Sequence, residues 1–189
     1  MSEGVSGVVL AGGLGRRMGG VDKGLVMLDG EPLVAHVLAR LAPQVDEILI
    51  TANRNLERYR AFGHAVLEDR IAGFAGPLAG LHAGLCAASQ ALVLSVPCDV
   101  PALPGDLAAR LMRGLRAAGA EAAVARAGGR LHPVFCLCRR DLRQRLETFM
   151  GGGGRRVQGW LETVDCAVVD FDEPRCFDNI NTPADLPGS

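Results

Sequence analysis

Short apolar runs recur along the chain, each followed by a stretch in which apolar residues return every three or four positions. Val5 to Leu10 is continuously apolar apart from Ser6 and Gly7 and ends in glycines, as a buried parallel strand does. After a glycine-rich stretch from Gly12 to Gly24, Pro32 opens a helical pattern through Leu33, Val37, Leu38 and Leu41, closed by Pro43. Val45 to Ala52 reads as a second strand, and Val66 and Leu67, running on to Asp69, as a short third. Pro77 starts a helix whose small residues, Ala79, Gly80, Ala83, Gly84 and Ala87, suit close packing on a sheet. Ala91 to Val96 is the most continuous apolar run and is expected at the centre of that sheet. Pro104 to Ala118 predicts a helix with Asp106 in its first turn. Glu121 to Arg126 and Leu131 to Cys138 predict a hairpin turning at Gly128-Gly129. Asp141 to Met150 reads as a helix, Gly151 to Gly154 as the flexible interior segment, and Ala167 to Phe171 as a last strand.

Strands alternate with helices through the first two-thirds, which predicts a largely parallel sheet, and the late hairpin makes it mixed. The expectation is α/β: a single three-layer Rossmann-like domain over 1–189, with its site at the carboxyl ends of the strands. The length of 189 residues suits one core. A net charge of -1 and a pI near 6.4 argue against nucleic acid as partner. No run reaches the ~18 apolar residues of a membrane span. The opening MSEGVSG lacks the basic and apolar regions of a signal peptide, so a cytoplasmic location is expected. Six cysteines without a CxxC pair then read as reduced; Cys136 and Cys138 alternate in one strand and should face the same buried side.

The candidate chemistry lies in LAGGLGRRMGGVDKG, Leu10 to Gly24. Glycines let backbone N–H groups approach a phosphate, and Arg16, Arg17 and Lys23 add positive charge. It is neither a P-loop, because Lys23 is flanked by Asp22 and Gly24, nor a dinucleotide fingerprint, because Gly13-Leu14-Gly15-Arg16-Arg17-Met18 does not close on glycine. Asp99 stands just beyond a buried strand, where a carboxylate suits Mg²⁺.

This loop resembles the signature of the molybdenum cofactor guanylyltransferases, the MobA family, within the wider group of nucleotidyltransferases. The resemblance continues through GEPL (Gly30 to Leu33), TANR (Thr51 to Arg54), ED (Glu68, Asp69), GPLAG (Gly76 to Gly80), PCDVP (Pro97 to Pro101), HPV (His132 to Val134) and NINTPADL (Asn179 to Leu186). It implies an N-terminal part that binds GTP and a C-terminal part that contributes to molybdopterin binding. It implies Leu10, Ala11, Gly12, Gly13, Lys23, Thr51, Asn53, Asp69 and Asp99 as nucleotide-binding residues, Lys23, Asp99 and Arg17 as catalytic, and Asp99 as the Mg²⁺ ligand. It implies Asp69 at the guanine edge or the ribose; at the base, a carboxylate would accept from guanine N1–H and N2–H₂. Some members carry Asn where this chain has Thr51, and Asn53 is the residue to compensate. Arg17, Arg156, Asn179 and Asn181 are expected on the acceptor side, with Arg155 and Arg156 as a cationic clamp or a solvated basic turn. His132 is either structural or acceptor-facing; His36 and His82 lie on helix patterns. The partners implied are GTP, molybdopterin or Mo-molybdopterin, a molybdenum insertase and apo-molybdoenzyme chaperones. The alternatives are a cytidylyltransferase making the cytosine form of the cofactor, a nucleotidyltransferase for another phosphate, and a non-catalytic carrier module.

Overall fold

Four parallel strands carry the glycine-ended run to the centre of a seven-stranded sheet. The computed structural model describes residues 3–12, 22–69 and 76–180. In chain order, β1 is Val5–Leu10, β2 Met27–Leu28 and β3 Glu31–Pro32, α1 Leu33–Leu41 and β4 Glu47–Thr51. Then come α2 Leu56–Arg60, β5 Ala65–Leu67, α3 Pro77–Ala87, β6 Leu92–Pro97 and α4 Leu107–Ala118. The rest is β7 Ala122–Ala127, β8 Arg130–Arg139, α5 Arg143–Gly151, α6 Val157–Leu161 and β9 Cys166–Phe171.

The strand order is β5-β4-β1-β6-β8-β7-β9. β8 alone runs against its neighbours, pairing antiparallel with both β6 and β7. From β1 the chain builds outward to β4 and β5, then crosses back to lay β6 on the other side of β1. That reversal opens a crevice at the carboxyl ends of β1 and β6, the place where open α/β sheets bind ligands.

Two apolar layers sandwich the sheet. Val34, Val37, Leu38 and Leu41 of α1 and Leu107, Leu111 and Leu115 of α4 pack on one face with Val9, Ile50 and Val96. Leu78, Leu81 and Leu85 of α3, with Leu146, Met150, Val157 and Trp160 of α5 and α6, cover the other, against Val8, Leu49 and Val93. Cys136 and Cys138 lie together in that second layer, as strand alternation requires. Burial pushes the Cys136 thiol up to about 12 and that of Cys138 well above its ordinary value, so both stay protonated.

Several elements differ from the pattern-based expectation. The helix expected from Pro104 begins at Leu107, with Asp106 as its N-cap residue. The predicted 141–150 helix opens with a 3₁₀ turn over Arg140–Leu142. Gly151 to Gly154 is a hydrogen-bonded turn rather than a loose linker: the N–H groups of Gly152, Gly153 and Gly154 donate to the carbonyls of Thr148, Met150 and Phe149. The β2–β3 hairpin was not foreseen; Asp29 and Gly30 form its turn, both at positive φ (50° and 85°), as a two-residue hairpin turn demands. In β8 the partners of Val124 and Ala125 are Cys136 and His132, so Pro133, Val134 and Phe135 fall in a bulge. A proline without an N–H is tolerated there.

The small residues of α3 set how closely it lies on the sheet. A Cβ built on Gly80 would sit 2.7 Å from Thr51 Oγ1 and 3.0 Å from Leu10 Cδ2. Gly80→Val therefore overpacks the α3–sheet contact and should cost about 1–3 kcal/mol of stability. Urea unfolding checks this; an unchanged midpoint would mean that α3 can lift without penalty.

Candidate active site

Each wall of the crevice comes from a strand end. On the β1 side, Leu10 ends the strand and the Ala11 N–H donates to the Thr51 carbonyl at 2.8 Å, which extends the β1–β4 ladder by one rung before Gly12. Gly13, Arg16 and Arg17 lie outside the described residues, as does Asn181.

The chain re-enters the site at Asp22. Tyr59 Oη donates to Asp22 Oδ1 at 2.5 Å and Asn55 Nδ2 to Asp22 Oδ2 at 2.9 Å, so α2 clasps the end of the glycine-rich loop. Burial, together with the nearby Cys98 and Asp22, raises the Tyr59 hydroxyl well above its ordinary pKa and keeps it a donor. Gly24 sits so close that a Cβ would lie 2.6 Å from Tyr59 Oη. This clasp fixes a 3₁₀ turn over Lys23–Leu25, from which the Lys23 ammonium reaches to 3.5 Å from Asp99 Oδ2. Sequence reading missed Tyr59 and Asn55; an aromatic with a polar tip in the RNLERY segment was the available signal.

Asp99 is 5% exposed. A carboxylate so deeply placed must be paired or hydrogen-bonded. Asn179 Nδ2 donates to its Oδ1 at 3.0 Å, and the Ile180 N–H donates to its backbone carbonyl at 2.9 Å. Asn179 and Ile180 thus come back across 80 residues to hold the β6 end. Lys23, Asp99 and Asn179 meet there.

The other wall carries Asn53 and Asp69. Asn53 Nδ2 donates to Asp69 Oδ2 at 2.7 Å, and the Asp69 N–H donates to Asn53 Oδ1 at 3.0 Å. Both ends of the Asn53 amide therefore orient Asp69. Partial burial raises the Asp69 pKa, and the Asn53 hydrogen bond only partly offsets this. Thr51 needs correcting: it is 1% exposed, and its Oγ1 lies beneath Gly80 with no hydrogen-bond partner. The hydroxyl expected at the base is covered by α3; the backbone carbonyl is what Thr51 offers to the β1 end.

Beside Asp99 lies an open cleft of about 1010 Å³. Arg40, Arg130 and Arg175, with His36 and His132, share its lining with Asp29, Glu31 and Asp178, so charges of both signs face it, and Asn179 and Phe177 form part of the lining. Phe177 stacks on His132 with ring centroids 4.7 Å apart. Burial, then Arg130, lowers the His132 pKa, which favours the neutral ring. His36 Nε2 is 2.9 Å from the Leu28 carbonyl and ties α1 to the β2–β3 hairpin. Arg155 and Arg156 are not part of this lining: an Arg155 amine donates to the carbonyls of Met150 and Gly154, and Arg156 precedes α6.

A hard divalent cation fits these donors. Asp99 supplies one buried carboxylate, its Oδ2 meets Lys23 only at 3.5 Å, and Mg²⁺ is held by one or two carboxylates together with substrate phosphates. A reversal crevice between a glycine-ended strand and an aspartate-ended one, with a lysine spanning the two, defines a nucleotidyltransferase of the α/β class. Comparison with known proteins is specific. Residues 7–165 match the model of the MobA-like NTP transferase domain. The molybdenum cofactor guanylyltransferase of Shewanella sediminis is 45% identical over 184 residues, covering 97% of this chain and 94% of that one. That of an Acidovorax species is 47% identical over 196 residues, covering 96% and 93%. Among solved structures, molybdopterin-guanine dinucleotide biosynthesis protein A from Archaeoglobus fulgidus superposes with a TM-score of 0.77 at 25% identity, covering 96% of this chain and 94% of that one. The chain belongs to the MobA-like NTP transferase family.

Proposed function

We propose that the protein transfers GMP from GTP to the terminal phosphate of molybdopterin or Mo-molybdopterin, releasing pyrophosphate and forming the guanine dinucleotide cofactor. The observation that carries this reading is the meeting of Lys23, Asp99 and Asn179 at the β1–β6 crevice, in a chain 45–47% identical to molybdenum cofactor guanylyltransferases. The N-terminal part takes GTP: Leu10, Ala11, Gly12, Gly13 and Lys23 at the phosphates, and Asp69, oriented by Asn53, at the guanine edge. The C-terminal part contributes to the acceptor side, where Asn179 and the arginine-bearing cleft adjoin Asp99. Arg17 and Asn181 complete the proposed acceptor set; Arg156, which precedes α6 and does not line the cleft, is left out of it.

An oxygen of the acceptor phosphate attacks the α-phosphorus of GTP in line. The new P–O bond forms as the bond to the pyrophosphate oxygen breaks, and that oxygen leaves with the electron pair. A phosphate monoester is already anionic, so no general base is required. Lys23 and backbone N–H groups offset the charge that gathers between the two anions. Asp99 would hold Mg²⁺, which when bound supplies further neutralisation of the phosphates. Among the described residues no helix is long and apolar enough to cross a membrane. The site of action is the cytoplasm, where molybdenum insertase and the chaperones of apo-molybdoenzymes supply and receive the cofactor.

Binding of nucleotide to the folded state alone raises the melting temperature. GTP with Mg²⁺ should raise it well above the shift given by CTP or ATP at equal concentration. Equal shifts from all three would remove the guanine assignment. Asp69→Asn replaces a pure acceptor by an amide and should lose discrimination between GTP and ITP, which lacks the 2-amino group, more than it loses triphosphate affinity. Because the Asp69 pKa is raised, its carboxylate protonates at a higher pH than an ordinary aspartate. In the wild type the GTP-over-ITP preference should therefore fall first on acidification. Unchanged discrimination in Asp69→Asn would separate Asp69 from the base.

A further inference from the structure

On the face of the sheet covered by α3 and α5, three side chains of different chemistry converge. His82 and Cys86 stand four residues apart on α3, hence on one side of it. Glu147 faces them from α5. Their ligand atoms all lie within 4.8 Å of one another. His82 Nε2 is 2.8 Å from Glu147 Oε1 and 3.6 Å from Cys86 Sγ. The cluster is distinct from the nucleotide crevice. Gly80, in the first turn of α3, packs on Thr51 and Leu10 at the carboxyl ends of β4 and β1, whereas Ser89, just past the end of α3, is bonded to Glu47 at the amino end of β4.

We infer that His82, Cys86 and Glu147 form a binding site for a borderline divalent cation of the Zn²⁺ class. A tetrahedral ion with bonds of about 2.3 Å to sulfur and 2.0–2.1 Å to nitrogen places those two ligand atoms about 3.5–3.6 Å apart. The Cys86–His82 separation of 3.6 Å already has that length. The His82–Glu147 separation is a hydrogen-bond length and must open to about 3.4 Å to admit the ion. That adjustment falls on Glu147, whose side chain is 44% exposed and can move, whereas His82 is fixed in the core. Nitrogen, thiolate and carboxylate together select Zn²⁺ over Mg²⁺, which prefers an all-oxygen octahedron. His82 Nδ1 has no hydrogen-bond partner, so nothing on that side of the ring pins the proton to Nε2. On binding, the neutral ring carries its single proton on Nδ1, leaving the Nε2 lone pair for the ion, and the Cys86 thiol proton passes to solvent. Glu147 and the half-buried Cys86 lie toward the surface and provide the entry path. A bound ion braces α3 against α5.

Co²⁺ titration of the reduced full-length protein tests this, because a cobalt–thiolate bond gives a charge-transfer absorption that oxygen ligands do not. One Co²⁺ per chain with that band is expected, displaced by Zn²⁺ and not by Mg²⁺. Cys86→Ser should abolish the band, and Glu147→Gln should weaken binding by about 10–100-fold or more, since even outer-shell partners of metal ligands carry that much. Circular dichroism confirms that both variants remain folded; neither residue lies in the core. Wild-type protein without the band, a band undiminished in Cys86→Ser, or unchanged affinity in Glu147→Gln would overturn the assignment.

Discussion

Asp99→Asn should lower the rate of GMP transfer by about 10²-fold or more, the scale seen when one electrostatic contact to a transition state is removed. The fold should survive. An asparagine keeps an oxygen to accept from Asn179 Nδ2, and the Ile180 N–H bond goes to the Asp99 backbone carbonyl, which the substitution leaves in place. What is lost is the negative charge that faces Lys23 and would hold the cation. Turnover and melting temperature must be measured on the same preparation. Normal turnover in a stable variant would reduce Asp99 to a residue that merely ends β6.

Lys23→Ala should slow the chemical step by about 10²–10³-fold while changing GTP affinity far less. The lysine sits where the clasped end of the loop meets the β6 end, the place proposed above for the two anionic reactants. Removing its charge leaves their repulsion uncompensated as the new P–O bond forms. The β1 end and the Asn53–Asp69 pair still hold the nucleotide. Lys23→Arg should restore part of the rate only, because a planar guanidinium does not replace a compact ammonium among crowded phosphates. Single-turnover rates and GTP binding on both variants check this. Loss of GTP binding with an intact single-turnover rate at saturation would make Lys23 a ground-state anchor.

The central strands were legible because buried parallel strands spell themselves as near-continuous apolar runs; β1, broken by Ser6 and Gly7, and β6, broken by Ser95, both did. Asp99 was legible because a residue just past such a run stands at the sheet's carboxyl edge, and Lys23 stood out as a cation late in the glycine-rich stretch. Thr51 was misplaced for a reason also written in the sequence. Leu49 faces α3 and Ile50 faces the opposite layer, so the two-residue period sends Thr51 under α3. The Asp29-Gly30 hairpin was signalled by its dipeptide, but with two-residue strands there was no alternation to read. The Tyr59–Asp22 clasp and the His82–Cys86–Glu147 cluster depend on contacts between elements far apart in the chain, which local patterning does not encode. The cleft beside Asp99 is another such case: Arg40, Arg130 and Arg175 come from α1, β8 and the segment after β9.

The most direct measurement is pyrophosphate release and product formation with molybdopterin as acceptor and Mg²⁺ present, run separately with GTP, CTP, ATP and UTP. The account predicts turnover with GTP that depends on molybdopterin, with one guanine dinucleotide product per pyrophosphate released, and little with the other three. Turnover led by CTP, or no molybdopterin-dependent pyrophosphate with any of the four, would contradict it.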